Sequence, residues 1–176
     1  MKVHARTPRL LLRDWTMDDV EPYLDIVSDP DVMRHIGDGE PRTREYAEKF
    51  VRRSIRHQES RGWMRFAAEH VETGRFMGFS GFDWRGEPGG PLDFGWRLGR
   101  DFWGQGFGYE ASAAALHVGR EAFGLEKITA QSYPENVGSI RIMEKMGMER
   151  IGEDQEHGRP LVIYGFPSEW PDGFVA

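Results

Sequence analysis

Residues 92–108 read LDFGWRLGRDFWGQGFG and join two patterns in one stretch. In residues 92–98 apolar side chains alternate with small or charged ones, which is typical of a half-buried strand. The alternate glycines of residues 104–108 directly precede a helix predicted over residues 109–123. A glycine-rich turn that opens a helix exposes backbone N–H groups at the positive end of the helix dipole, where phosphate binds. The sequence therefore predicts an anion site, suited to the pyrophosphate of a nucleotide-containing cofactor.

Three other interpretations compete for the glycine turn. A Walker A loop needs a lysine and a hydroxyl residue after its last glycine, but Tyr109 and Glu110 follow Gly108, which excludes it. A dinucleotide fingerprint needs the spacing G-x-G-x-x-G near the start of a parallel sheet. Gly104, Gly106 and Gly108 have a different spacing, and three predicted strands with hairpin turns precede them. The third interpretation, a tight turn with a structural role alone, stays open.

Periodicity along the chain predicts seven strands and four helices. The predicted strands cover residues 9–14, 63–70, 75–83, 92–98, 125–132, 148–156 and 159–166, and the predicted helices cover residues 17–28, 43–60, 109–123 and 136–146. Asp29-Pro30 is predicted to end the first helix, because proline disfavours helical backbone in the residue before it. Hairpins combined with strand–helix–strand units predict a mixed α/β sheet rather than a doubly wound parallel one.

Composition limits the class of protein. A chain of 176 residues with 39% hydrophobic residues is long and apolar enough for one domain, predicted over residues 1–176. The net charge of −6 argues against general nucleic-acid binding. Without cysteine there are no disulfides and no thiolate metal sites. The basic N-terminus and the lack of an apolar run of roughly 18 residues predict a soluble, cytoplasmic protein with no membrane partner.

Residues 136–148 read NVGSIRIMEKMGM, and with residues 103–111 they resemble the GNAT superfamily of acetyl-CoA-dependent N-acetyltransferases. In the branch of the ribosomal-protein N-terminal acetyltransferases, the cofactor loop reads Trp-Gly-(Gln/Lys)-Gly-aromatic-(Ala/Gly), often followed by Thr-Glu-Ala. Here Tyr109 stands where threonine is usual. The second motif, Asn-x-x-Ser followed by Glu-Lys-x-Gly-Phe, has Met148 in place of phenylalanine. The resemblance extends to residues 7–13 and covers nearly the whole chain.

The resemblance implies a GNAT-like α/β fold with a mixed, mostly antiparallel central sheet of about seven strands flanked by about four helices. It implies acetyl-CoA as the cofactor, with the backbone N–H groups of residues 105–109 around its pyrophosphate. Residues 94–98 would pair edge-on with the pantetheine arm, and one of their N–H groups would polarise the thioester carbonyl. The residues assigned in this way to cofactor binding are Phe94, Trp96, Arg97, Leu98, Trp103, Gln105, Gly106, Phe107, Gly108, Tyr109 and Asn136.

Asn136 and Ser139 are the catalytic candidates that the resemblance implies. Asn136 would hydrogen-bond the cofactor arm near the thiol, but it also stands where a helix N-cap is expected, and asparagine is a preferred cap. Ser139 would protonate the departing thiolate, although a serine at this position also serves a helix end. Many relatives use a tyrosine at the position that Met143 holds here. Both alternatives stay open for Asn136 and for Ser139.

The general base is not determined by the sequence. The reaction that the resemblance implies is direct attack by a neutral amine, without an acyl-enzyme. Asp93, Asp83 and Glu69 lie on predicted strands and could direct a water molecule, but exposed strand carboxylates are more often inert. His35 lies in the loop after the first helix, which borders the acceptor site in relatives. The six histidines show no metal-ligand spacing, so no metal is predicted.

The prediction for the whole chain is an acetyl-CoA-dependent N-acetyltransferase. Its acceptor would be a primary amine, either a protein N-terminal α-amine or a small-molecule amine, and analogy with the family favours a homodimer. One alternative is a module of the same fold that binds coenzyme A or another nucleotide without turnover. A second alternative is an α/β oxidoreductase that binds a dinucleotide, which the glycine spacing disfavours.

Overall fold

The computed structural model describes residues 1–169, which form eight strands and five α-helices. The strands are β1 (Val3–Arg6), β2 (Leu10–Arg13), β3 (Arg65–His70), β4 (Phe76–Trp84), β5 (Leu92–Leu98), β6 (Ile128–Ser132), β7 (Glu149–Glu156) and β8 (Arg159–Gly165). The helices are α1 (Val20–Val27), α2 (Pro30–Met33), α3 (Arg44–Arg61), α4 (Phe107–Phe123) and α5 (Val137–Lys145). Residues 170–176 of the predicted domain lie outside the described part. Within it, no helix has the length and apolar character needed to cross a membrane.

All eight strands form one sheet in the order β1-β2-β3-β4-β5-β6-β8-β7. Neighbouring strands are antiparallel except for β5 and β6, which are parallel. That parallel pairing is short, with Leu92 opposite Ile128 and Asp93 opposite Thr129. After those two pairs β5 and β6 diverge, so residues 95–98 have a sheet neighbour on the β4 side alone. The sheet therefore opens a wedge at its centre.

Helices cover both faces of the sheet. On one face α4 lies against β4 and β5, where Phe82 and Phe94 stack with 4.7 Å between ring centroids. The contact is close because Gly119 faces Phe82: a Cβ at Gly119 would stand 2.6 Å from that ring. On the other face Phe50 of α3 stacks on Phe79 at 5.3 Å, and Tyr23 of α1 packs beside it. The wedge between β5 and β6 thus has α4 on one side of the sheet and α1 and α3 on the other.

The mixed, mostly antiparallel α/β fold is confirmed, with two differences in the elements. The sheet has eight strands rather than about seven, because β1 is an edge strand of four partly exposed residues, VHAR, whose alternation is too short to stand out in the sequence. The chain also has a fifth helix, α2, directly after Asp29-Pro30. That dipeptide ends α1 as predicted and begins α2: Pro30 occupies the first turn and Asp29 accepts a hydrogen bond from the Asp31 N–H at 2.9 Å.

Candidate active site

A cleft of about 750 Å³ opens where β5 and β6 diverge. Its walls are β5, the turn before α4, the N-terminus of α5, the end of β6 and the segment 31–36. The predicted site residues that line it are Phe94, Trp96, Arg97, Leu98, Trp103, Gly106, Gly108, Tyr109, Asn136 and Ser139. Gln105 and Phe107, which belong to the same predicted set, do not line it. Two stretches far apart in sequence therefore meet at one cleft.

The N-terminus of α4 is open to this cleft. Gly106 is the N-cap residue with a left-handed φ of +82°, and no side chain caps the helix there. The first hydrogen bond of the helix runs from the Glu110 N–H to the Gly106 carbonyl at 3.1 Å. The N–H groups of Phe107, Gly108 and Tyr109 precede that bond and lie outside the helical ladder. This arrangement is the backbone geometry that binds a phosphate.

The turn before α4 is held by the N-terminal segment of the chain. Arg9 donates to the Gln105 carbonyl at 3.0 Å and to the Glu110 carboxylate at 2.7 Å, and its guanidinium lies 4.2 Å from the centroid of the Phe107 ring. Thr7 donates to the same carboxylate at 2.6 Å. Burial raises the pKa of Glu110, but the hydrogen bonds from Thr7 and Arg9 outweigh it and hold this pKa below its ordinary value. The sequence showed residues 7–13 as a motif without showing this role.

The backbone of β5 faces the cleft at alternate residues. The Leu92 N–H donates to the Lys127 carbonyl at 3.2 Å on the β6 side, and the Leu98 carbonyl accepts from the Trp103 indole at 2.8 Å on the same side. Strand backbone groups alternate direction with a period of two, so the N–H groups of Phe94 and Trp96 also face the β6 side. The Phe94 N–H still donates to β6, because the pairing of Asp93 with Thr129 is made through it, but β6 has diverged beside Trp96, so the Trp96 N–H points into the cleft. An extended ligand could add to the edge of β5 as a further strand does.

Arg97 differs from its predicted role in cofactor binding through the strand edge. As an odd-numbered residue of β5 its backbone faces β4, as does that of Gly99, whose N–H donates to Met77. Its side chain rises on the sheet face that α1 and α3 cover, where it donates to the Tyr23 hydroxyl at 2.8 Å. The α4 N-terminus belongs to the opposite face. Arg97 therefore lines the cleft through its side chain, away from the anion site of α4.

The N-terminus of α5 brings Asn136 and Ser139 into the cleft. The Asn136 side chain accepts a hydrogen bond from the Ser139 N–H at 3.3 Å, which confirms the capping role. Both side chains are half-buried and line the cleft, so a second role toward a ligand stays compatible with capping. Met143 is fully buried in the core, and its position offers no proton donor.

The strand carboxylates considered as bases are all engaged by arginines. Glu69 pairs with Arg13 at 2.7 Å, Asp83 with Arg61 at 2.9 Å, and Asp93 with Arg65. None of the three carboxylates lines the cleft. For Asp83 burial would raise the pKa, but the hydrogen bond from Arg61 and the charges of Arg65 and Arg61 outweigh it and lower this pKa. These residues stabilise the sheet face rather than serve the cleft.

The cleft also contains residues that the sequence did not single out. Gln131 and Ser132 line it at the carboxyl end of β6. Ligands bind at the carboxyl ends of parallel strands in α/β sheets, so that position was the available signal. His35 also lines the cleft, with its Nδ1 buried and without a partner among the described residues. Burial and the charges of Arg159 and Arg34 lower the pKa of His35, so the imidazole is neutral at pH 7.

The fold and the cleft define a class of α/β protein in which two central strands diverge beside the open N-terminus of a helix, an arrangement suited to an anion. Residues 9–149 match the family model described as acetyltransferase (GNAT) domain. The match spans more than half of the chain, so the chain belongs to the GNAT family and is an acetyltransferase.

Relatives and solved structures agree with this membership. The chain is similar to the uncharacterized N-acetyltransferase YnaD of Bacillus subtilis (strain 168), with 30% identity over 85% of each chain. It is also similar to a GNAT-family acetyltransferase structure from Bacillus anthracis, with 28% identity, a TM-score of 0.77, and coverage of 93% of this chain and 96% of that one. A structure of RimL, a ribosomal L7/L12 α-N-protein acetyltransferase in complex with coenzyme A, has a TM-score of 0.73 at 14% identity, with coverage of 93% and 96%. This last likeness shows the fold alone.

Proposed function

We propose that this chain transfers the acetyl group of acetyl-CoA to a primary amine by direct attack in a ternary complex. One observation carries the proposal: the uncapped N-terminus of α4 and the free edge of β5 open into the same cleft. The first suits a pyrophosphate and the second suits the amide-containing pantetheine arm. The coenzyme A in the RimL complex supports this choice of cofactor within the fold.

In this proposal two sets of backbone N–H groups bind two different parts of the cofactor. The N–H groups of residues 106–109 hold the pyrophosphate, and the free edge of β5 from Phe94 onward binds the pantetheine arm, with the Trp96 N–H directed at the thioester carbonyl. Bound acetyl-CoA supplies the activated acetyl group. A strand N–H directed at the thioester oxygen stabilises negative charge as it develops during attack, which is the role of an oxyanion hole.

In this proposal Ser139 and Asn136 act at the sulfur end of the cofactor. Ser139 lines the cleft, and in this proposal its hydroxyl donates a proton to the departing thiolate. Asn136 keeps the N-terminus of α5 in place and presents its amide to the cofactor arm. The proposal assigns no carboxylate as the base. An α-amine has an ordinary pKa of about 7.7–8.0, so it needs little help to lose its proton.

The acceptor is a primary amine, either a protein N-terminal α-amine or a small-molecule amine. The motif in residues 103–111 supports the branch of the ribosomal-protein N-terminal acetyltransferases, in which protein N-termini are the acceptors. The rival function is a binding module that holds coenzyme A without turnover. A hydroxyl and an amide side chain at the N-terminus of α5, both in the cleft, favour turnover.

A thermal-shift comparison of acetyl-CoA, coenzyme A, NAD and ATP tests the cofactor. Ligand at 100-fold above its dissociation constant stabilises the fold by about 2.7 kcal/mol, which predicts a shift of about 5–11 °C for a chain of this size. We expect a shift with both forms of coenzyme A, followed by acetyl transfer in a screen of amines. A shift with NAD alone would overturn the proposal in favour of an oxidoreductase. Coenzyme A binding without transfer to any amine would support the binding module.

A further inference from the structure

Arg97 is a cationic side chain in the cleft whose partners are neutral. It donates to the Tyr23 hydroxyl at 2.8 Å, and its guanidinium lies 5.5 Å from the centroid of the Phe79 ring. Its Nε is buried without a hydrogen-bond partner among residues 1–169. Burial raises the pKa of Tyr23, so this hydroxyl stays neutral and cannot balance the charge.

The other arginines of the same sheet face have carboxylate partners. Arg65 lies beside the same Phe79 ring and pairs with Asp93, and Arg13 pairs with Asp19 at 2.8 Å. Within the described residues Arg97 forms no ion pair. A partly buried charge is unfavourable unless an opposite charge or a full set of hydrogen bonds compensates it. An anionic ligand would therefore supply the opposite charge that Arg97 lacks among the described residues.

The pKa of the neighbouring residue Tyr46 indicates a positive potential around Arg97. Burial would raise the pKa of Tyr46, yet the charges of Arg97, Arg65 and Arg42 outweigh it and hold this pKa below its ordinary value. Among the residues that line the cleft, the arginines Arg34, Arg97 and Arg100 outnumber the carboxylates Asp31 and Glu135, although the whole chain carries a net charge of −6. Such a site attracts anions.

The place of Arg97 separates it from the cofactor phosphates. Its side chain rises on the α1 and α3 face of the sheet, whereas the N-terminus of α4 belongs to the opposite face. Arg97 directly follows Trp96, whose N–H points to the position proposed for the thioester. Gly95, on the other side of Trp96, leaves the wall of the cleft without a side chain. An anion on Arg97 would thus lie near the reacting amine and apart from the pyrophosphate.

We propose that Arg97 binds a carboxylate of the acceptor, so that the acceptor is an amino acid or a short peptide with a free carboxylate rather than a simple amine. This inference rests on the proposed acetyl transfer and adds the class of acceptor to it. A guanidinium matches a carboxylate with two parallel hydrogen bonds, which also orients the amine. The source of the carboxylate, either the α-carboxylate of an amino acid or the C-terminus of a peptide, is distinguished by the experiment.

The experiment compares matched ligands that differ in one charge. Free amino acids are paired with their amides, and Ala-Xaa dipeptides are paired with their C-terminal amides. Binding of each ligand to the protein saturated with coenzyme A is measured by calorimetry, and acetyl transfer is measured separately with acetyl-CoA. The wild-type protein should bind the carboxylate member of at least one series about ten-fold more tightly than its amide, as expected for hydrogen bonds to a charged group. The series that shows the preference identifies the source.

Three variants assign that preference to Arg97. Arg97→Gln should reduce it to less than about two-fold without changing the affinity for coenzyme A, and Arg97→Lys should keep part of it because the charge remains. Arg100→Gln is the matched control, since Arg100 lines the same cleft but its charge is balanced by Asp29 and Asp31. That control should keep the full preference.

The two proposals fail in different ways. Equal binding, or no binding, of carboxylates and amides by the wild-type protein overturns the carboxylate site, whatever the activity. A carboxylate preference in Arg97→Gln equal to that of the wild type also overturns it. If that variant does not fold, Arg97→Lys is used instead: lysine cannot form the two parallel hydrogen bonds, so a carboxylate preference equal to that of the wild type overturns the carboxylate site. A carboxylate preference in binding without acetyl transfer to any ligand leaves the site standing and overturns the transferase.

Discussion

At the α4 end of the cleft a ligand meets backbone N–H groups, whereas at the Arg97 end it meets one charged side chain. The α4 end depends on main-chain conformation, because Gly106 adopts a left-handed φ and no side chain caps the helix. The Arg97 end depends on one residue of β5 whose partners are neutral. A backbone site changes when its conformation is disturbed, while a side-chain site changes with any substitution. The comparison therefore predicts that the α4 end tolerates side-chain changes that keep the backbone conformation, whereas the Arg97 end changes its specificity with any substitution of that one residue.

The largest expected effect comes from disturbing the backbone at the α4 end. Gly106→Val places a β-branched residue at a φ of +82°, which is unfavourable for non-glycine residues. Loss of the aligned N–H groups, at about 1.5–3 kcal/mol for each hydrogen bond to a charged group, should weaken coenzyme A binding at least 100-fold. Calorimetric titration with coenzyme A measures this effect.

Gly124→Val is the matched control for that variant. Gly124 has a φ of +61° at the C-terminal end of the same helix, where no atom lies within 4 Å of an added Cβ. It should suffer similar backbone strain and lose stability while keeping its affinity for coenzyme A. Equal affinities for coenzyme A in the wild type and in Gly106→Val would contradict the assignment of the N-terminus of α4 as the phosphate site.

The second largest effect is expected between the two ends, at the N-terminus of α5. Ser139→Ala should lower kcat by roughly 100-fold, the lower range for loss of a general acid, with little change in coenzyme A affinity. Steady-state kinetics beside calorimetry separate these two quantities. Ser60→Ala, on the exposed end of α3, is a control that should leave both unchanged. A wild-type kcat in Ser139→Ala would remove this hydroxyl from the mechanism.

A smaller effect is expected from the side chain that holds the α4 turn. Arg9→Ala removes the hydrogen bonds to Gln105 and Glu110, so the turn becomes less ordered and coenzyme A affinity should fall about ten-fold. The free helix N–H groups remain, which is why the loss is smaller than in Gly106→Val. Arg150→Ala, an exposed arginine paired with Glu153, is the control and should bind coenzyme A normally. Normal affinity in Arg9→Ala would mean that the turn holds its conformation without the N-terminal segment.

The smallest effect is expected at Asn136. Asn136→Ala removes the cap of α5 and should lower stability by about 1 kcal/mol, or roughly 2–4 °C in Tm, together with a few-fold loss of coenzyme A affinity. Thr43→Ala removes the cap of α3, away from the cleft, and should lower Tm alone. Thermal unfolding with and without coenzyme A distinguishes the two variants. If Asn136→Ala lowers Tm but leaves the affinity for coenzyme A unchanged, the role of Asn136 is capping alone.

Local patterns predicted most of the elements because each depends on neighbours in sequence. Alternation in residues 92–98 indicated β5, and the glycines before residue 109 indicated an open helix N-terminus. The edge strand β1 was missed because its four residues are partly exposed and too few for their alternation to stand out. The role of Thr7 and Arg9 was also beyond local patterns, since their partner Glu110 lies on a distant helix.

The sequence by itself determined the two faces of β5, the glycine turn and the family motifs, because these depend on periodicity and on residue type at fixed spacing. The tertiary structure alone decided what each edge and face of β5 meets. Alternation separates Trp96 from Arg97, but the order of strands in the sheet decides that Trp96 faces a diverging neighbour and Arg97 a paired one. Packing of α1 and α3 then surrounds Arg97 with neutral partners. Which strands and helices become neighbours is a property of the folded chain, since those contacts join residues far apart in the sequence.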